Sequence, residues 1–280
     1  MKVLTYTSLF PNAAQPDLGI FIYQRMAHFA AMGNRENEVV VVAPIPYAPS
    51  WATKARWKKW TGIPAVEHQG HLTVYHPAYP MLPGLSLPVQ AQLMFLRSFY
   101  LVRQLHREYR FDIIDAHYVY PDGLVGIWLG KMLRLPVVVS ARGSDMNLYP
   151  SFRLIRPQIR WTLQKAAGAI AVCKPLRDEM VSVAGSRDVE VIGNGVDPTR
   201  FFPVDPGEAR KQLGLPPGKQ IVVAVGALIP RKGYQFLIPA VAEIKNHFPN
   251  FELYILGEGE YLKRSFGMSG DSQFPTATLC

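Results

Sequence analysis

Phe111-Asp112-Ile113-Ile114-Asp115-Ala116-His117 and Pro136-Val137-Val138-Val139-Ser140-Ala141-Arg142-Gly143-Ser144-Asp145 are two short, largely apolar runs, and each stops on polar chemistry. Between them, residues 121–133 place Leu124, Ile127 and Trp128 at helical spacing, with Lys131 and Arg134 near the end, where cations suit the helix dipole. This predicts a βαβ unit. Its crossover makes the two strands parallel, so His117 and the loop from Arg142 to Asp145 emerge at the same carboxyl edge of one sheet. In open α/β sheets ligands bind at that edge.

The same alternation recurs outward from this unit. Lys2 to Ser8 predicts a first buried strand, residues 11–19 a loop of turn formers ending at Gly19, and Ile20 to Met32 a helix stopped by Gly33. Glu38 to Ala43 is a second strand, and its run of four valines suits a strand covered on both faces. Leu72 to His76 is a candidate strand, residues 77–88 a loop, and Val89 to Tyr109 a long amphipathic helix. Beyond Asp145 the pattern predicts a helix over Pro157 to Lys165, a strand over Gly168 to Val172, a short helix over Pro175 to Val183 and a strand over Val189 to Ile192. Arg200 to Gly207 reads as a linker. From Gln220 the alternation restarts, with a strand to Gly226, a helix over Tyr234 to His247 and a strand over Phe251 to Leu256 that ends in Gly257-Glu258-Gly259. The residues after Ser265 show no periodicity. The expected fold is α/β, with Rossmann-like domains of parallel sheet over 1–205 and 206–280. The second is expected to be incomplete, because about 75 residues fall short of the 100 to 150 typical of a domain.

With 280 residues and 49% hydrophobic composition the chain can bury a substantial core. Cys173 and Cys280 imply no disulfide framework, so a reducing, cytoplasmic setting is expected. The N-terminus enters a strand pattern with no signal-peptide core. The uncharged stretch after Leu72 is broken by Pro77, Pro80, Pro83 and Pro88, against a membrane span. Net charge is +9, which favours anionic partners, and no nucleic-acid-binding signature is present. Trp51, Trp57 and Trp60 lie among Lys54, Arg56, Lys58 and Lys59, with Trp57 and Trp60 on one helical face. That composition suits either core packing with a solvated basic face or peripheral attachment to an anionic membrane.

Five motifs occur in order: Asp112-Ile-Ile-Asp-Ala-His117, Ala141-Arg-Gly-Ser-Asp145, Asn194-Gly-Val-Asp197 followed by Arg200-Phe-Phe-Pro203, Val225-Gly-Ala-Leu-Ile-Pro-Arg-Lys-Gly233, and Leu256-Gly-Glu-Gly259. In that order they resemble the retaining, nucleotide-sugar-dependent glycosyltransferases of family four with the GT-B fold, over residues 1 to about 262. The resemblance implies two Rossmann-like domains across a cleft, the first for the acceptor and the second for a UDP- or GDP-linked sugar donor, with no metal and no cofactor. Ala-Arg-Gly-Ser-Asp in place of the commoner His-Gly-Ser-Asp resembles enzymes of bacterial cell-surface polysaccharide assembly. That implies a glycan or lipid-linked acceptor, and a location in the cytoplasm or at the inner membrane face.

By this resemblance His117 and Asp145 are catalytic candidates, Arg142, Gly143 and Ser144 address the acceptor, and Gly19, Gly226, Arg231, Lys232 and Glu258 address the donor. Each has a plainer alternative. His117 is otherwise a histidine hydrogen-bonded at a sheet edge, Asp145 a helix cap, Gly19 and Gly143 turn glycines, Lys232 a solvated lysine and Glu258 a surface turn residue. For Lys232 the chemistry is specific, because cleaving a sugar diphosphate leaves an anion that a lysine beside a helix N-terminus can stabilise. The family's usual arginine after the first glycine is Ala227 here, and Arg231 is the candidate replacement. The family's pair of glutamates that holds the donor has no counterpart, so weak or absent activity is expected of this chain. A sugar-nucleotide epimerase on the same fold, and a non-catalytic module binding a membrane or polyanion, are the alternatives.

Overall fold

A computed structural model describes residues 1–32, 37–47, 60–81, 86–185, 187–259 and 277–279. The chain divides into two compact units, Met1–Val196 and Asp197–Cys280, upstream of the break expected after residue 205.

The first unit is built on an eight-stranded sheet. Its strands are β1 (Lys2–Tyr6), β2 (Glu38–Val42), β4 (Val66–Gln69), β5 (Leu72–Tyr75), β7 (Ile113–His117), β8 (Val137–Ala141), β9 (Gly168–Ala171) and β10 (Glu190–Val191), in the order β10-β9-β8-β7-β1-β2-β5-β4. Every pairing is parallel except β4 with β5, an antiparallel edge that sequence periodicity did not anticipate. Two-residue strands β3 (Ile45–Pro46) and β6 (Ala78–Tyr79) pair separately.

Helices cover both faces. They are α1 (Ile20–Ala31), α2 (Gln90–Tyr109), α3 (Leu124–Leu133), the short α4 (Ser144–Asn147), α5 (Arg156–Lys165) and α6 (Lys174–Ala184). Successive side chains of a strand point to opposite faces, and the strands divide accordingly. Leu4, Tyr6, Val40 and Val42 join the larger core with Met94, Leu124, Ile159 and Met180. Val3, Val39 and Val41 join the smaller one with Ile22 and Met26 of α1. Two dry faces are why the valine run shows no polar alternation.

The second unit holds α7 (Pro206–Gln212), α8 (Tyr234–His247) and the parallel strands β11 (Gln220–Val225), β12 (Phe251–Leu256) and β13 (Ala277–Leu279), in the order β11-β12-β13. Its core gathers Leu228, Tyr234, Leu253 and Ile255. Two expectations are corrected here. The supposed linker runs into α7, because Asp205 caps it by accepting from the Glu208 backbone N–H at 3.0 Å. The aperiodic tail contributes β13, whose register on β12 is fixed by pairing and not by side-chain pattern. Trp51 to Lys59, which carry most of the basic tryptophan segment including Trp57, lie outside the described residues, whereas Trp60 lies in a turn and is partly buried. Among the described residues no helix is long and apolar enough to cross a membrane.

Candidate functional site

Strand order in the first unit reverses at β1, with β2 on one side and β7 on the other. That is a topological switch point, the place in an open α/β sheet where loops part and leave a crevice. The loops after β1, β7 and β8 meet here.

His117 ends β7 with no exposed surface, and its Nδ1 lies 2.8 Å from Nη2 of Arg142. A guanidinium only donates, so Nδ1 accepts and Nε2 carries the ring proton. Nε2 sits 3.1 Å from Asp115 Oδ2 but off the line of a directed hydrogen bond. Burial pushes the imidazole pKa down, and Arg142 and Arg25 add to this against the pull of Asp115, so the ring is neutral near pH 7. Burial by itself would raise the Asp115 carboxyl, but His117 first, then Arg25 and Arg142, hold it below its usual value.

Arg142 is fixed from three sides. Besides His117, Nη1 donates to Asn194 Oδ1 at 2.9 Å, and the guanidinium carbon lies 5.5 Å from the Phe21 ring centre. Its pKa is pulled down to about 10, by burial and then by the charge of Arg25.

Asp145, fully buried, ties two loops together. Its Oδ1 accepts from the backbone N–H of Arg142 at 3.0 Å and of Gly143 at 2.8 Å, and its Oδ2 accepts from Val119 at 2.9 Å. Both oxygens therefore serve backbone groups that precede α4, not the helix itself. Ser144 Oγ shares a hydrogen bond with Tyr118 Oη at 3.0 Å. Asp122 bridges the switch point, accepting from the Ser8 backbone N–H at 2.5 Å and from Ser8 Oγ at 2.9 Å, and burial raises its carboxyl to about 8.

Gly19 starts α1 in the left-handed conformation, φ 64°, and a Cβ there would collide with the carbonyl oxygen of Leu9. Only glycine lets this loop pack so closely. The turn places α1 with Phe21 against Arg142, and the charge of Arg25 on the same helix is felt there.

In the second unit, Pro230–Lys232 form a single 3-10 turn and Gly233, φ 79°, starts α8. Lys232 is exposed, with its Cε 3.8 Å from where a Gly226 Cβ would stand. Tyr234 Oη donates to the Gly226 carbonyl at 3.2 Å. A Cβ on Gly257 would strike the Gly226 carbonyl, so the two strand-end loops pack backbone against backbone. Arg231 and the Glu258 side chain are exposed on this rim.

Thus His117, Arg142, Gly143, Ser144 and Asp145 gather at the switch point of the first unit, with Gly19 at the start of the adjoining helix. Gly226, Arg231, Lys232 and Glu258 gather at the strand ends of the second. Sequence reading assigned no role to Arg25, Asp115 or Asp122, and it gave Asn194 none beyond its place in a motif. Asp115 was open to detection, because two residues before His117 on a strand is the same face.

The family model described as Glycosyltransferase Family 4 matches residues 26–200, and that described as Glycosyl transferases group 1 matches residues 205–271. The chain belongs to glycosyltransferase family 4. Within the family it resembles TuaC of Bacillus subtilis (strain 168), named for a teichuronic acid biosynthesis glycosyltransferase, with 28% identity over 88% of this chain and 63% of TuaC. It also resembles the GDP-mannose-dependent alpha-(1-6)-phosphatidylinositol monomannoside mannosyltransferase of Mycolicibacterium smegmatis, with 27% identity over 80% of this chain and 55% of the relative. Among solved structures, sucrose-phosphate synthase from Thermosynechococcus elongatus superposes with a TM-score of 0.63 at 19% identity, over 91% of this chain and 62% of that one. Anabaena Alr3699/HepE in complex with UDP gives 0.60 at 19%, over 95% and 64%. At such identities the likeness speaks for fold alone, which is α/β of the GT-B class. The chain spans less than two thirds of the length of each of these proteins.

Proposed function

We propose that this chain forms the acceptor-side domain and part of the donor-side domain of a retaining glycosyltransferase, which moves a sugar from a UDP- or GDP-linked donor to a glycan or lipid-linked acceptor in cell-surface polysaccharide synthesis. The family match in two consecutive blocks carries this reading. Support for a nucleotide-sugar donor comes from HepE, a fold neighbour described with UDP, and support for the polysaccharide setting from the name of TuaC.

On this reading Lys232 and the N-terminus of α8 meet the diphosphate, where negative charge grows as the sugar departs. No metal or cofactor takes part. One cation about 4 Å away in an effective dielectric near 20 supplies roughly 4 kcal/mol before desolvation. Gly226, Arg231 and Glu258 line that end. Arg142, Gly143 and Ser144 receive the acceptor, with His117 and Asp145 beneath them. The enzyme works in the cytoplasm at the inner membrane face, held by the basic segment around Trp57 and Trp60, and absence of cosedimentation with anionic vesicles at low salt would remove that part.

The test is direct. UDP and GDP are titrated into the purified chain, and donor sugars are incubated with lipid-linked and glycan acceptors. One nucleotide should bind, and sugar should pass only slowly to acceptor. Release of free, epimerised sugar without acceptor would assign epimerase chemistry instead. Salt-sensitive binding to polyanions with no nucleotide affinity would leave a binding module.

A further inference from the structure

The face of the first unit formed by α2, α3 and α5 is basic and apolar at once. These helices and residues 148–155 hold eight lysines and arginines against one acid, Glu108, a net +7 out of the chain's +9, and all eight cations are exposed. Large apolar side chains stand among them: Leu96 is 67% exposed, Tyr100 76% and Leu154 70%. Leu96, Tyr100, Arg103 and Arg107 follow one another at helical spacing, so α2 presents them as one stripe. Ring contacts tie the helices into a single surface. Tyr100 packs on Phe99 with ring centres 4.9 Å apart, Phe99 on Phe95 at 5.8 Å and Phe95 on Trp128 of α3 at 5.6 Å, while Lys131 of α3 lies 4.5 Å from the centre of the Trp161 ring of α5. Between the three helices runs a groove of about 310 Å³, lined by Gln92, Leu124, Trp128, Pro157, Gln158 and Trp161. Leu124 and Trp128 stand in the first turns of α3, which runs back from the end of β7, so the groove lies at the same end of the sheet as His117.

We propose that this face lies on an anionic lipid bilayer, with Arg103 and Arg107 over the headgroup phosphates, Leu96, Tyr100 and Leu154 entering the acyl boundary, and the groove between Trp128 and Trp161 open to a lipid chain. The inference rests on the reading that the acceptor is lipid-linked, and it brings that acceptor to the His117 end of the sheet from the surface on which the chain rests. It concerns a surface separate in sequence from the basic tryptophan segment. A soluble polyanion would pair with the cations but leave the three apolar tips in water, whereas an uncharged apolar partner would bury the cations unpaired. An anionic bilayer answers both. Contact of this kind needs no membrane-spanning helix, and none is present among the described residues.

The experiment is cosedimentation of the full 280-residue chain with vesicles of phosphatidylglycerol and phosphatidylcholine in equal parts, against vesicles of phosphatidylcholine alone. The anionic vesicles should bind about tenfold or more tightly, and added salt should erode the difference. Arg103→Gln should weaken that binding about fivefold, and Arg103→Gln with Arg107→Gln about tenfold or more. Leu96→Gln with Tyr100→Gln should also cost about tenfold, through the apolar contact. Lys211→Gln removes one charge from the exposed surface of the second unit and should change nothing. The substituted side chains are exposed, so folding is expected to survive, and far-UV circular dichroism checks it. Equal binding to both vesicles, or anionic binding that neither pair of changes weakens, overturns the inference. So does capture by dextran sulfate without vesicle binding, which would make the face a site for soluble polyanions, or release from vesicles by glycerol 3-phosphate, which would make it a headgroup pocket. Vesicle binding lost with UDP binding intact strikes this surface and leaves the transferase reading, and the reverse result does the opposite.

Discussion

Replacing Asp145 by alanine tests whether one carboxylate holds the acceptor edge together. The change removes the acceptor for three backbone N–H groups, those of Val119, Arg142 and Gly143, in a place where Asp145 has no exposed surface. A buried donor left without a partner costs about 1–3 kcal/mol, so three set a ceiling of roughly 9 kcal/mol. The Arg142–Gly143 side is only partly buried, and water entering there lowers the expected loss to about 3–5 kcal/mol. Asp145→Asn separates the two arms: Oδ1 still accepts from Arg142 and Gly143, but an amide NH2 now faces the Val119 N–H. Its loss should be smaller, about 1–2 kcal/mol. All five tryptophans lie before residue 197, so tryptophan fluorescence during urea unfolding reports on the first unit alone. With a slope of about 2 kcal/mol per molar, the alanine variant's midpoint should fall by roughly 2 M and the asparagine variant's by under 1 M. An alanine variant within about 1 kcal/mol of the parent chain would refute the account, because the loops would then be held by something else.

Asp122 makes stability depend on pH. Its native carboxyl titrates near 8, well above the usual value of 3.8, so the native state binds more protons than the unfolded state between those limits. The contribution of Asp122 to stability is therefore full below about pH 4 and falls by about 1.4 kcal/mol per unit until pH 8. Asp122→Asn should flatten that profile in urea midpoints taken at pH 5, 6.5 and 8, and parallel profiles would contradict it. Gly19→Ala should lose more than about 2 kcal/mol, since it combines a left-handed residue with a collision at Leu9, and thermal unfolding measures this. Lys232→Gln should weaken UDP or GDP binding about tenfold or more in calorimetry while leaving the melting temperature of the first unit unchanged.

The elements were legible because their signals are local. The valine run of β2, the apolar spacing of α3 and the Gly-Glu-Gly end of β12 each lie within a few residues, and dry faces, helical spacing and tight loops announce themselves at that range. Even the missed helix α7 had a local mark, Asp205 followed three residues on by Glu208, which two prolines obscured. Strand β4 had a local mark too, Gly70 in the two-residue turn that folds it back on β5, although its exposed edge hides any apolar alternation; β13 had none, because a three-residue pairing is set by β12, about twenty residues earlier.

For the site the division runs the same way. By itself the sequence determined that His117 and the loop from Arg142 to Asp145 share one sheet edge, since a βαβ crossover allows only parallel strands. Only the tertiary structure decided what stands around them. Placing β1 next to β7 brings Ser8 against Asp122, 114 residues away, and sets α1 with Phe21 against Arg142, where the charge of Arg25 is felt. Periodicity states which face of a strand a residue occupies, whereas strand order decides which charges meet there. Those meetings leave His117 neutral and Asp115 ionised.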